Sequence, residues 1–244
     1  MKTRFRLLTI FALWGVFSGL FAALPGQSPD DNAGLEVVQS DNLVYPFSMT
    51  VSGILAGEAR LVISVDAAGQ LNDVLVVGYT QPAFAEAAVA ALKRWHYDPA
   101  RVHGVAHSSR AQVYFTFKNG MGVMIQRMPG TLTSASISRK DEERYSYAAC
   151  ELRELDRIPI PVHIVPPVAF KSDPHGAKRT VTVEFYIDED GRVRMPAIGR
   201  EEPDDDYAAA AVSAVEQWRF EPPLRKGRPV LVLARQDFTF VSKP

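Results

Sequence analysis

The chain has 244 residues, of which 47% are apolar and 23% charged, with a formal net charge of −1. This is the profile of one large or two small globular domains and excludes a disordered chain, while the near-zero charge removes the broad electrostatic case for nucleic acid as a partner. One cysteine, Cys150, cannot close an internal disulfide, so cysteine usage does not fix a compartment.

The N-terminus is more informative. Lys2, Arg4 and Arg6 precede Leu7 to Leu24, which carry no charge. A basic head before an apolar stretch has the layout of a secretory signal, and the stretch is long enough to span a bilayer. Two assignments stay open for residues 1–25, a cleaved signal peptide or a retained membrane anchor. Cleavage after Ala22 or Ala23 leaves Leu20 or Phe21 where a small residue is preferred. No cysteine lies nearby, which excludes a lipoprotein. In both cases the remainder is expected outside the cytoplasm.

Beyond this leader the chain repeats itself. Residues 42–118 form a first expected domain, 119–158 a linker, and 159–244 a second domain. In the first copy Leu61, Ile63 and Val65 alternate with polar neighbours, a period-two strand with one buried face. Asp66-Ala67-Ala68-Gly69 then reads as a hairpin turn, with Asp bonding its own backbone and Gly taking positive φ. A second strand covers Leu71 to Val77. The period then becomes helical, with Phe84, Ala88, Ala91 and Trp95 on one face of an amphipathic helix. Pro99 marks its exit, and Val113, Phe115 and Phe117 lie on a last strand.

The linker carries Gly122 to Met128, which could add a strand to the first unit, and Arg139 to Leu155, which reads as a charged helix. Ile158-Pro159-Ile160-Pro161 and Pro166-Pro167 form an extended approach to the second copy.

There, Val181, Val183, Phe185 and Ile187 repeat the first strand, Asp188-Glu189-Asp190-Gly191 the turn, and Arg192 to Ile198 the second strand. Tyr207, Ala211, Ala214 and Trp218 repeat the helix, with Asp204, Asp205 and Asp206 suited to its N-terminus. Val230, Val232, Phe238 and Phe240 mark the last strand. Trp95-His96-Tyr97-Asp98-Pro99 returns as Trp218-Arg219-Phe220-Glu221-Pro222. A register held over this many landmarks indicates duplication of a small domain. The expected fold class is α+β: two tandem β-β-α-β units, each a three-stranded antiparallel sheet covered by one helix. Trp95 and Trp218 are expected to close the two cores.

No constellation supports catalysis or a metal. Aligning Gly191 with a calcium-loop glycine puts Tyr186 and Ala197 where the first and last ligands belong. His103 and His107 flank a turn glycine and have no third ligand nearby. There is no nucleophile elbow and no phosphate-binding glycine loop. No cofactor is expected.

The order of strand, Asp-x-x-Gly turn, strand, Ala-rich helix, Trp-x-aromatic-x-Pro, glycine and aromatic-ended last strand resembles the TonB C-terminal domain. The match is closest over Val181 to Gly191, Ala208 to Pro222, Gly227-Arg228-Pro229-Val230 and Phe238-Thr239-Phe240. It recurs at Tyr45-Pro46, Gly57 to Gly69, Ala87 to Pro99 and Gly104 to Phe117. The two matches cover roughly two thirds of the chain. The resemblance implies a periplasmic protein-binding domain without enzymatic activity. TonB proteins couple an inner-membrane motor to outer-membrane receptors for siderophores, cobalamin and similar nutrients. Their domain receives an extended receptor peptide, the TonB box, as an added strand on its last strand. Here that edge comprises Gln112, Val113, Tyr114, Phe115, Thr116 and Phe117, and Leu231, Val232, Leu233, Phe238, Thr239 and Phe240. Motor proteins enter as partners only if the N-terminus is a retained anchor. About 20 residues separate Pro25 from Tyr45, a reach of at most ~70 Å, in place of the family's long Pro-rich spacer. The alternative is an envelope scaffold or adaptor, or a homodimer, whose last strands pair between units or subunits, with no transport role.

Overall fold

The computed structural model of the chain describes residues 33–39, 43–119, 122–129, 144–168, 179–198 and 206–240. The expected leader, residues 1–25, lies outside the described residues.

The first unit contains β1 (Glu36–Gln39), α1 (Phe47–Val51), β2 (Ala56–Val65), β3 (Leu71–Tyr79), α2 (Pro82–Leu92), β4 (His96–Asp98), β5 (Ala100–Val102), β6 (Val105–His107) and β7 (Ser109–Lys118). The segment between the repeats adds β8 (Gly122–Pro129), β9 (Tyr147–Ala148), β10 (Cys150–Glu151) and a 3-10 turn at Leu152–Glu154. The second unit follows with β11 (Pro161–His163), β12 (Arg179–Ile187), β13 (Val193–Ile198), α3 (Asp206–Glu216), β14 (Arg219–Phe220), β15 (Leu224–Arg225), β16 (Arg228–Pro229) and β17 (Val232–Phe240).

The duplication is visible in pairing as well as in order. Strand β1 pairs with β4 as β11 pairs with β14, and β5 pairs with β6 as β15 pairs with β16. In each unit the first long strand is central, flanked by its hairpin partner and by the last strand, all antiparallel. The hairpin turns superpose bond for bond. Asp66 Oδ1 accepts the N–H groups of Ala68 and Gln70 at 2.9 and 2.8 Å, and Asp188 Oδ1 accepts those of Asp190 and Arg192 at 3.1 and 2.8 Å. Gly69 and Gly191 close these turns at φ of 77° and 79°.

Neither sheet stops at three strands. The first has five, in the order β8-β7-β2-β3-β9, and the second four, in the order β10-β17-β12-β13. The extra strands all come from the segment between the repeats. This corrects the expected helix at Arg139 to Leu155: residues 139–143 lie outside the described residues, while Tyr147–Ala148 and Cys150–Glu151 are strands. The charge pattern suited a helix, but unpaired backbone groups at the rims of β3 and β17 offered ladder bonds that won. Gly122 to Met128 does form the anticipated strand, running to Pro129 and pairing along β7.

Each helix covers one sheet face. Phe84, Ala88, Ala91 and Leu92 are fully buried on α2, and Ala211 and Val215 on α3. Each large side chain so buried contributes about 1.5–3 kcal/mol. Both helices end before the tryptophan, which sits in the exit turn and reaches back into the core. The aromatic contacts repeat too: Trp95 lies 5.8 Å from Phe115 and Trp218 5.6 Å from Phe238, while Phe84 lies 4.8 Å from Phe117 and Tyr207 5.0 Å from Phe240. Trp218 Nε1 also donates to the Val165 carbonyl at 2.8 Å. Tyr45 packs edge-on against Phe84 and donates its hydroxyl to the Ile54 carbonyl at 2.6 Å.

The faces away from the helices meet each other. Val62, Leu75, Tyr186, Met195 and Leu231 form a third buried cluster between the units, joined by Val77, Tyr147 and Leu233. This explains why Val62 and Tyr186 are buried although the period-two reading points them outward.

Candidate strand-receiving edge

A strand can accept another only where its backbone N–H and C=O groups face outward without a neighbour. The two last strands differ in this respect. Residues Gln112 to Phe117 lie inside β7, which is bonded to β2 on one side and to β8 on the other. The β8 ladder runs from Ala111↔Pro129 to Lys118↔Gly122. The expected free edge of the first unit is therefore an interior strand, because Gly122–Pro129 pairs antiparallel along it. Among the described residues the two last strands are not paired with each other, since β7 and β17 lie in separate sheets.

In the second unit β17 bonds β12 along its whole length, Arg179↔Phe240 to Ile187↔Val232. Its outer rim is covered only at the start. There β10 runs parallel to it, with Cys150 opposite Val232 and Glu151 opposite Leu233, and Cys150 N–H donates to the Leu231 carbonyl at 2.8 Å. Of the expected edge residues, Leu231, Val232 and Leu233 thus sit beside β10. Phe238, Thr239 and Phe240 lie on the stretch Ala234–Phe240, whose outer rim carries no strand among the described residues.

This rim has two unlike faces. On the helix side Phe238 and Phe240 are half-buried against Trp218 and Tyr207. On the other side cross-strand polar pairs stiffen it. Thr182 donates to Asp237 at 2.8 Å, and Arg235 lies 3.6 Å from Glu184. Burial raises the Glu184 carboxyl above its ordinary range, opposed by Arg110 and Arg235. Ala234, Arg235, Gln236 and Asp237 lie within the expected last strand, Leu231 to Phe240, although their polar side chains interrupt its apolar alternation.

A second feature invisible in the sequence supports this edge from behind. Arg110 of β7 is buried between the units and donates to the carbonyls of Glu184, at 3.3 Å, and Met195. Burial pulls its guanidinium down to about 10, opposed by Tyr186 and Glu184. Met195 has a φ of 53° at a bulge in β13. A bulge leaves a residue outside the regular ladder, and here the Met195 carbonyl is the one Arg110 meets. Arg194 makes a bidentate contact with Asp73 across the same boundary, at 2.6 and 3.1 Å. The second sheet, with β17 in it, is thereby fixed against the first.

The repeated turn, aromatic pairs and strand order are those of a single module used twice. A family model for the C-terminal region of the Gram-negative bacterial TonB protein matches residues 41–118 and again residues 166–241. The chain belongs to the TonB C-terminal family. Among curated proteins none matches it. The TonB C-terminal domain is a protein-interaction domain of the cell envelope and has no enzymatic role of its own. Among the described residues no helix is long and apolar enough to cross a membrane.

Proposed function

We propose that this is a periplasmic TonB-like protein that binds an extended segment of an outer-membrane receptor, of TonB-box type, as an added strand on β17. The observation that carries this reading is that the outer rim of Ala234–Phe240, on the strand that the family uses for pairing, carries no strand among the described residues. Alternate residues of a strand point their N–H and C=O outward, so this rim offers about three or four donors and as many acceptors. Strand addition satisfies them with modest sequence demand. The molecule's own construction supports the chemistry: β8, β9 and β10 are three added strands on the edges of the repeated module. A role in energy transduction for nutrient transport, with motor proteins as partners, further requires that residues 1–25 remain as an anchor.

Isothermal titration of the full chain with synthetic TonB-box peptides tests the reading. Binding that persists when the peptide sequence varies between its apolar positions, and vanishes when its backbone is N-methylated, is expected. Affinity unaffected by backbone methylation would overturn strand addition.

The scaffold alternative draws on the inter-unit contact of Arg110, Arg194 and the third cluster. Those contacts lie within one chain, and they leave β17 with a rim to offer.

A further inference from the structure

The two repeats are equal in sequence pattern but not in what their last strands have left to give. We propose that Gly122–Pro129 is the permanent occupant of the first unit's receiving edge, so that the chain presents one receiving site, Ala234–Phe240, to one extended partner segment. This rests on the strand-addition reading above and assigns it a stoichiometry and a footprint.

The ladder positions carry the inference. The tryptophans Trp95 and Trp218 fix the correspondence between the copies, and by that correspondence Ala111–Phe117 of β7 equals Ala234–Phe240 of β17. Strand β8 faces Ala111 through Lys118, whereas the matching stretch Ala234–Phe240 of β17 carries no outer strand among the described residues. The chain has thus filled, in its first copy, the place that stands empty in its second among the described residues. The fill is also difficult to displace. Only residues 119–121 separate the paired residues Lys118 and Gly122. A strand held on so short a tether competes at an effective concentration of about millimolar or more. An external peptide in free solution therefore does not replace β8.

The footprint on β17 has a fixed start. Strand β10 occupies the rim at Val232 and Leu233, and the 3-10 turn at Leu152–Glu154 that follows it stays against β17. A partner strand begins beyond β10 and has at most seven residues, Ala234 to Phe240, to face. Its chemistry follows from the two faces of the rim. Side chains on the helix side continue the surface of Phe238 and Phe240 and are best apolar. Those on the other side neighbour Arg235, Asp237 and Thr239, which are exposed, and are best polar. The partner is an extended segment of alternating apolar and polar residues. Alternation over fewer than about seven residues suffices.

The test uses the full chain and a synthetic TonB-box peptide. Titration calorimetry is expected to give one peptide per chain. A disulfide locking β8 to β7, made by Thr116→Cys with Met124→Cys at a paired position and verified by mass, is expected to leave affinity within about twofold. On β17, adjacent residues point their N–H groups to opposite sides. Of Gln236→Pro and Asp237→Pro, therefore, one disturbs the β12 ladder and lowers the melting temperature. The other keeps the fold and is expected to abolish binding. Two peptides per chain, or loss of binding in the locked protein, would overturn the proposal while sparing strand addition itself. If no form binds the peptide, strand addition fails, and hydrogen exchange decides the closure of the first unit alone. Slow exchange at every amide of residues 111–118, with alternate fast amides over 234–240, supports it. Alternate fast amides over 111–118 refute it.

Discussion

Replacing Gly191 by alanine isolates what the repeated Asp-x-x-Gly turn contributes beyond backbone freedom. Gly191 has a φ of 79°, and a Cβ there would lie 1.9 Å from the carbonyl oxygen of Phe220. Phe220 in turn donates its N–H to the Gly191 carbonyl at 2.8 Å, and its ring stacks on Phe185 at 6.1 Å. The left-handed conformation alone costs a non-glycine residue about 1–2 kcal/mol. Moving β14 away sacrifices the backbone bond, worth about 1 kcal/mol, and loosens an aromatic core worth a further kcal/mol or so. The expected loss is about 3–4 kcal/mol. Two other glycines provide internal controls. Gly227 has a φ of 71° and nothing within 4 Å of its Cβ position, so Gly227→Ala carries the backbone cost alone. Gly69 is the first-unit counterpart, with the Tyr97 carbonyl at 2.5 Å. Urea unfolding of the full chain, monitored by tryptophan fluorescence, is expected to rank Gly191→Ala as most destabilising, then Gly69→Ala, then Gly227→Ala. Equal midpoints for Gly191→Ala and Gly227→Ala would refute the close-approach argument and leave only the turn geometry.

Further outcomes are expected. Trp218→Ala removes a side chain that is 6% exposed and the donor to Val165, and is expected to cost roughly 3–5 kcal/mol in the unfolding of the second unit; an unchanged melt of that unit contradicts the core assignment. Arg110→Ala leaves the Glu184 and Met195 carbonyls without their donor and is expected to cost about 1–3 kcal/mol. A double-mutant cycle on the part-exposed pair Asp73 and Arg194 should give no more than about 1 kcal/mol; a larger coupling there than the loss at Arg110 reverses this ordering. Asp156 accepts the N–H groups of Gly227 and Lys226 at 2.7 and 2.8 Å, which hold its carboxyl below the usual carboxylate range. A depressed folded value means that this contact stabilises above the unfolded carboxylate range and is lost as pH falls through the folded value. NMR titration should find the Asp156 midpoint below that of a model aspartate, and an ordinary midpoint contradicts the contact.

Much of the fold is legible in the residues because local signals agree with each other. Alternation at Val181 to Ile187, the Asp188 turn and the helical spacing from Tyr207 to Trp218 each specify one element, and the first copy repeats the specification. The inter-repeat segment departs from its charge pattern for a physical reason. Residues Tyr147 to Glu151 have little strand character of their own and become strands only because β3 and β17 present edges to them. A pairing partner that distant leaves no local trace. Arg110 and Tyr186 were hidden in the same way, since burial on the second sheet face comes from the other unit and not from their own neighbours. The candidate edge was half legible. Its strand follows from the aromatic pattern of Phe238 and Phe240, but which of the two last strands is paired along its outer rim depends on where β8 folds.

The central claim is that the outer rim of Ala234–Phe240 receives a partner's backbone. Isotope-edited NMR of the labelled full chain with an unlabelled TonB-box peptide measures this most directly. The account predicts cross-strand contacts between peptide protons and the amides of Arg235 to Phe240, with none to residues 111–118. Contacts confined to another surface, or to the first unit, would contradict it.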